Sequence, residues 1–129
     1  MSPSAEKVFR ELGFKIYDVI HREKIYKNGV PFTELDTRFV AEYKGRNYLI
    51  IGEAKTTCTA GDIKEFKARL KKLKSLVWFK DYKIIGFISS VNYGRGADKF
   101  AQKEGLYTFY VTDDVMVLKV PKNFSPKEF

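Results

Sequence analysis

The chain of 129 residues is poor in the side chains that most metal and nucleophile chemistry requires: it has one cysteine, Cys58, and one histidine, His21. A lone cysteine closes no internal disulfide and builds no thiolate metal site. A lone histidine excludes His-rich metal sites and weighs against Ser-His-Asp or Cys-His catalysis. Cys58 therefore reads as a small buried residue, and His21 as a structural or surface one. No apolar run approaches the ~20 residues that span a bilayer, so no membrane role is expected. The opening residues, Met1-Ser2-Pro3-Ser4-Ala5-Glu6-Lys7, show no basic stretch leading into an apolar one. No signal peptide is expected, and the expected location is cytoplasmic. Internal repeats, low-complexity tracts and internal linkers are also missing. Gln102 is the sole glutamine while lysine and glutamate are plentiful, the drift seen in proteins of thermophiles.

What is present is positive charge. Lys and Arg number 24 against 16 Asp and Glu, a net charge of +8. Such a surplus suits a polyanion, and nucleic acid above all. Hydrophobic residues at 44% and charged residues at 31% describe a globular chain rather than a disordered one. The length suits one domain, expected over residues 1–120. Residues 121–129 carry Pro121 and Pro126 and read as an irregular C-terminal tail.

The apolar pattern gives an order of elements. Ser2 or Ser4 is placed to cap a first helix, with Ala5, Val8, Phe9 and Leu12 on one face and Gly13 ending it. Residues 14–20 read as a strand, and 21–31 stay unassigned apart from a turn at Asn28-Gly29. Residues 33–43 and 48–55 form a hairpin about Lys44-Gly45. A polar loop at 56–61 precedes a helix for which Asp62 and Glu65 resemble a capping box. Ile63, Phe66, Leu70, Leu73 and Val77 share its buried face. A strand at 83–91, a Gly94-Arg95-Gly96 loop, a helix at 97–104, a strand at 106–112, a turn at Asp113-Asp114 and a strand at 115–120 complete the chain. The expected class is α/β, a central mixed sheet flanked by helices in the order αβββαβαββ.

The hairpin carries charges where a strand seldom keeps them: Glu34 and Asp36 on one strand, Glu53 and Lys55 on the other. Side chains alternate along a strand, so each pair shares a face. A two-residue loop sets Asp36 opposite Glu53 and Glu34 opposite Lys55. A four-residue loop sets Asp36 opposite Lys55 and Glu53 opposite Arg38. Either way Asp36, Glu53 and Lys55 gather on one side, provided no bulge intervenes. Opposed carboxylates repel. A divalent ion removes the repulsion, and hard oxygen donors favour Mg²⁺ or Mn²⁺. A lysine beside them balances charge and holds a water or a phosphate oxygen. The bland alternative is a surface ion-pair cluster.

Asp36, a hairpin, and then Glu53-Ala54-Lys55 resemble the motif of the PD-(D/E)XK nuclease superfamily, whose fold is restriction-endonuclease-like. The resemblance spans nearly the whole chain. The runs Phe32-Thr33-Glu34-Leu35-Asp36 and Ile50-Ile51-Gly52-Glu53-Ala54-Lys55 are similar to compact archaeal, viral and Holliday junction resolvase-like members. The resemblance implies that Asp36 and Glu53 bind Mg (or Mn) with the backbone carbonyl of Ala54, and that Lys55 assists the attacking water. It also implies a further carboxylate from the first helix, Glu6, with Glu11 as the alternative. Leu35 replaces the proline of the motif. The Gln-x-x-x-Tyr signature of RecB-like exonucleases is absent, since Gln102 and Tyr107 are five apart.

The expected activity is therefore metal-dependent hydrolysis of DNA, as an endonuclease. A non-catalytic nucleic-acid-binding module and a structural or assembly protein are the rivals, and RNA stays open as a partner. Lys64, Lys67, Lys71 and Lys74 on the second helix, and Arg95 before the third, are the candidate phosphate contacts. Cutting two strands is simplest with two sites, so a homodimer is expected. Trp78, Phe79, Phe124 and Phe129 are its candidate surface.

Overall fold

A computed structural model describes residues 4–76, 79–113 and 115–129. The elements follow in the expected order: α1 (Ala5–Glu11), β1 (Lys15–Lys27), β2 (Val30–Tyr43), β3 (Arg46–Cys58), α2 (Ala60–Leu73), β4 (Lys83–Tyr93), α3 (Ala97–Lys103), β5 (Tyr107–Thr112) and β6 (Val115–Leu118). The expectations for Ser2, Val77, Trp78 and Asp114 lie outside the described residues.

The strands form one six-stranded sheet in sequence order, β1-β2-β3-β4-β5-β6. The first three make an antiparallel meander. α2 then carries the chain over to β4, parallel to β3, and α3 carries it to β5, parallel to β4. β6 returns antiparallel. Helices lie on both sides. Ile63, Phe66, Leu70 and Leu73 of α2 and Ala97 and Ala101 of α3 pack with Leu49, Ile51, Ile84 and Ile88 on one face. Phe9 of α1 packs with Phe39, Ile50, Ile85, Phe87 and Phe109 on the other. The alternation 49/51 against 48/50 on β3 produces this two-sided burial.

Both meander turns have two residues. Asn28 and Gly29 take φ of 54° and 77°, and Lys44 and Gly45 take 49° and 77°, so both centres are left-handed, as a two-residue hairpin turn demands. The first turn resolves the unassigned stretch 21–31: β1 runs on to Lys27 and β2 starts at Val30. Other boundaries shift too. β3 continues to Cys58 through the expected polar loop, and α1 stops at Glu11. Leu12, past the helix end, is exposed, and Val8 is only half-buried. The capping box is built one turn earlier than Asp62 and Glu65. Thr59 is the N-cap, Asp62 N–H donates to its Oγ1 (3.2 Å), and Thr59 N–H donates to Asp62 Oδ2 (2.9 Å). A threonine at the end of a strand had no periodic signal to mark it as a cap.

Residues 121–129 form no helix or strand, yet they are fastened down. Phe129 exchanges backbone hydrogen bonds with Ile84, Lys127 N–H donates to Gly105 O, and Tyr48 Oη donates to Glu128 Oε2. Phe124 and Phe129 pack on the two core clusters, and Phe79 is fully buried. These three aromatics complete the chain's own core rather than the expected dimer patch, because the sheet ends leave apolar surface that the tail covers. Among the described residues, no helix is long and apolar enough to cross a membrane.

Candidate active site

The two-residue turn at Lys44-Gly45 sets the register: Tyr43 pairs with Arg46 and Thr37 with Gly52. The ladder stops there. Asp36 and Glu53 are the next residues on each strand beyond the last pair. At this point β2 also turns over. Leu35 packs in the α2-side cluster and Phe39 in the α1-side cluster, although their spacing would put them on one face of a regular strand. On β1, Arg22 takes a φ of 55° beside this reversal. The β2–β3 register itself is unbroken from Tyr43–Arg46 to Thr37–Gly52, and the register shifts of the meander lie between β1 and β2, at Ile16/Asp18 and Ile25/Tyr26.

The splay leaves the backbone of β3 without a β2 partner, and Asp36 supplies one. Its Oδ2 accepts the N–H of Ala54 (2.9 Å). Backbone donors at such a site need a partner, and a carboxylate is a strong one. The bond also orients Asp36 across the mouth of the hairpin.

Glu53 is held from the other side. Its neighbour in β4 is Ile88, and its side chain is on the α2 face, where it is 8% exposed. Two cations neutralise it: Oε1 accepts from Arg69 Nη1 of α2, and Oε2 lies 3.8 Å from Lys55 Nζ. Lys55 bridges onward to Asp62 Oδ1 (3.6 Å). Asp62 in turn is fixed by Thr59, whose backbone N–H does most to hold its carboxyl below the usual range, with burial opposing and Lys55 adding to the lowering. One chain of contacts thus runs from Arg69 through Glu53, Lys55 and Asp62 to the start of α2. A second ion pair lies on the same face: Arg38 Nε and Nη2 donate to Glu23 (2.6 and 2.8 Å), with the guanidinium 5.7 Å from the centroid of the Phe79 ring.

Gly52 shows how tightly the site strand is placed. A Cβ there would sit 2.0 Å from Phe87 Cζ, so only glycine lets the strand carrying Glu53 lie against that ring.

The structure therefore brings together Asp36, Glu53, Ala54 and Lys55. It does not bring Glu6 to them. Glu6 belongs to α1 on the other face, and its Oε2 is taken by Arg10 Nε and Nη2 (3.1 and 2.8 Å). Glu11 is exposed at the end of α1. The four helix lysines divide. Lys64 and Lys71 are exposed, whereas Lys67 is paired with Glu104 and Lys74 donates to Tyr82 O. Positions 67 and 74 flank the buried stripe of α2, so their ammonium groups reach acceptors on neighbouring elements. Arg95 is exposed before α3. Cys58 is buried, which pushes its thiol up to about 11 and keeps it protonated and inert. The sequence reading missed Arg69. It stood among the cations of the helix with nothing but its position, in the third turn of α2, to mark it as a partner of Glu53.

Two carboxylates, a backbone carbonyl and no nitrogen or sulfur ligand make an oxygen donor set that fits Mg²⁺ or Mn²⁺. Asp36 uses one oxygen for Ala54 and keeps Oδ1 for another partner. Glu53, by contrast, has both of its oxygens beside cations, Oε1 at Arg69 and Oε2 at Lys55. Among the described residues, no group of three or more His, Cys, Asp or Glu side chains stands in metal-holding positions. The larger groove of about 840 Å³ between α3 and residues 121–125 is remote from these carboxylates and contains no acidic residue.

No family model matches the chain, and no curated protein matches it. Among solved structures, it is similar to a repair endonuclease from Pyrococcus abyssi, with a TM-score of 0.50 and 21% identity over 94% of this chain and 49% of that one. The EndoMS–dsDNA2 complex gives a TM-score of 0.48 and 22% identity over 92% of this chain and 44% of that one. At these identities the likeness is one of fold, and the chain spans about half the length of each structure.

Proposed function

We propose that the chain is a metal-dependent nuclease unit of the PD-(D/E)XK type, with a restriction-endonuclease-like fold, that hydrolyses DNA phosphodiester bonds as an endonuclease. The observation that carries this reading is the junction of the hairpin ladder. Asp36 bonded to Ala54 N–H, Glu53 and Lys55 converge where the β2–β3 pairing ends. The fold shared with half of a repair endonuclease supports it, as does the net charge of +8.

Asp36 and Glu53 would hold Mg²⁺ or Mn²⁺, with the Ala54 carbonyl as a third oxygen donor. A bound divalent ion supplies charge to the phosphate oxygens and lowers the pKa of a coordinated water. Ala54 N–H keeps Asp36 oriented before any ion arrives. Lys55, suspended between Glu53 and Asp62, offers its ammonium to the attacking water and to negative charge developing on the phosphate. Lys64 and Lys71, exposed on α2, and Arg95, exposed in the loop before α3, would meet DNA phosphates.

Asp36→Ala and Glu53→Gln test the assignment. Each should reduce Mg²⁺- or Mn²⁺-dependent cleavage of duplex and branched DNA by about a hundredfold or more while the circular dichroism spectrum stays native. Undiminished cleavage by either variant, in a preparation free of contaminating nuclease, overturns it. The saturation of Glu53 by two cations favours one rival, a non-catalytic DNA-binding module on the same fold. That reading takes over if the wild-type chain binds DNA with a steep salt dependence but cuts no substrate with either metal.

A further inference from the structure

Arg69 is the one cation of α2 bonded to an acidic residue of the candidate site. Its Nη1 donates to Glu53 Oε1, and the two side chains are 25% and 9% exposed. A carboxylate buried to this degree is strongly disfavoured without a partner, and Arg69 supplies one. The same contact blocks the role proposed for Glu53. A guanidinium at hydrogen-bond distance occupies one oxygen of Glu53 and sets a positive charge beside it, which repels a divalent cation. The two therefore compete for Glu53. Lys55 is a weaker competitor, 3.8 Å from Glu53 and already shared with Asp62.

For Arg69 to release Glu53, it needs another acceptor, and the helix provides one. Glu65 lies one turn earlier on α2, at the i−4 spacing at which Glu followed by a cation forms its favoured helical pair. Glu65 and Arg69 both line a groove of about 270 Å³ between α2 and Phe32-Thr33 of β2. Glu65 is exposed and makes no ion pair among the described residues. The guanidinium thus has two carboxylates within the reach of one side chain, one buried in the site and one at its solvent edge.

We infer that Arg69 is a charge latch on the metal site, bonded to Glu53 in the empty protein and transferred to Glu65 when a divalent ion takes Glu53. The inference rests on the metal-binding reading above. Its consequence is that the affinity for metal is set by competition with Arg69, and that Glu65, which touches neither metal nor DNA, favours binding by receiving the displaced guanidinium.

Calorimetric titration with Mn²⁺, in the absence of DNA, reads this directly. Arg69→Gln keeps an N–H donor for Glu53 without the charge and should bind Mn²⁺ at least about fivefold more tightly than wild type. Arg69→Lys restores the charge and should return the affinity toward the wild-type value. Glu65→Gln removes the second acceptor and should weaken binding. A purely structural Arg69 would give lower thermal stability in Arg69→Gln with an unchanged Mn²⁺ midpoint, and that result overturns the latch. Glu53→Gln separates the two proposals. If it abolishes Mn²⁺ binding while Arg69→Gln binds like wild type, the metal site stands and the latch falls. If neither wild type nor Arg69→Gln takes up Mn²⁺, both fall.

Discussion

The two faces of the sheet are built from different chemistry. On the α1 face, Phe9 meets Phe14, Phe39, Phe87, Tyr107 and Phe109 with ring centroids 5.0–6.1 Å apart, a lattice of aromatic contacts with no ion pair inside it among the described residues. On the α2 face, aliphatic side chains fill the centre, and the edge nearest the hairpin junction holds Arg38–Glu23 and Arg69–Glu53. One face is a core in the plain sense. The other carries buried charges that are poor investments for stability, since an ion pair contributes no more than a well-packed apolar replacement. The residues proposed for catalysis lie on that charged face. The difference teaches where lesions should be silent in one assay and loud in another.

The largest effect is expected on the aromatic face. Phe9 is fully buried and is the centre of the ring lattice. Phe9→Ala should cost about 3–5 kcal/mol in denaturant unfolding, the range for a large aromatic removed from a packed core. Cleavage per folded molecule, measured well below the lowered Tm, should stay near wild type. A fall in cleavage of the folded fraction as large as the fall in stability would mean that the two faces are not separable.

Lys55 gives the mirror image. Its contacts to Glu53 and Asp62 are long and half-exposed, and such pairs stabilise by about 1 kcal/mol at most. Lys55→Ala should leave unfolding nearly unchanged and DNA affinity within about twofold, because one cation of many contributes little to binding. Turnover should fall by about a hundredfold. Equal losses in affinity and turnover would make Lys55 a phosphate anchor instead.

This asymmetry explains what was legible beforehand. Periodicity identified the elements because Leu49, Ile51, Ile50 and Ile85 bury their side chains by strand parity alone. The Lys44-Gly45 turn left two registers open, and the observed ladder, from Tyr43–Arg46 to Thr37–Gly52, is the one a two-residue loop gives. Hidden from the sequence were the contacts that depend on where a helix lands. Arg69 reaches Glu53 only because α2 crosses the sheet at that height, and Glu6 is spent on Arg10 because α1 settles on the opposite face. The tail was hidden for a similar reason. Phe129 finds Ile84 through a single pair of backbone hydrogen bonds that no pattern announces.

A smaller effect should separate the lysines of α2 from one another. Lys64 and Lys71 are exposed, while Lys67 and Lys74 hold Glu104 and Tyr82 O. If the outer pair meets phosphates, replacing both with Ala should make the slope of log K against log salt shallower by roughly one unit per lost contact. Lys67→Ala and Lys74→Ala should leave that slope alone and lower the Tm slightly. A slope that responds equally to all four lysines would move the DNA path toward α3.

The smallest effect concerns Asp62, where α2 begins and the charged network ends. Asp62→Ala removes the reciprocal bonds with Thr59 and should cost about 1 kcal/mol, the usual worth of a helix cap. The sign with pH follows from its carboxyl, which the Thr59 backbone N–H chiefly holds below its ordinary value. A carboxylate with a lowered folded pKa stabilises fully above its unfolded pKa of about 3.9, and that stability is lost as pH falls through the folded value. The gap in stability between wild type and Asp62→Ala should therefore be widest near neutral pH and close progressively in acid. The gap caused by Phe9→Ala, which involves no titrating group, should have no such dependence. Unfolding midpoints of both variants at pH 7 and in strongly acidic buffer measure the contrast. If the Asp62→Ala gap were the same at both, the ionised carboxylate would not be what closes the cap, and the charged face would begin at Lys55 rather than at the helix N-terminus.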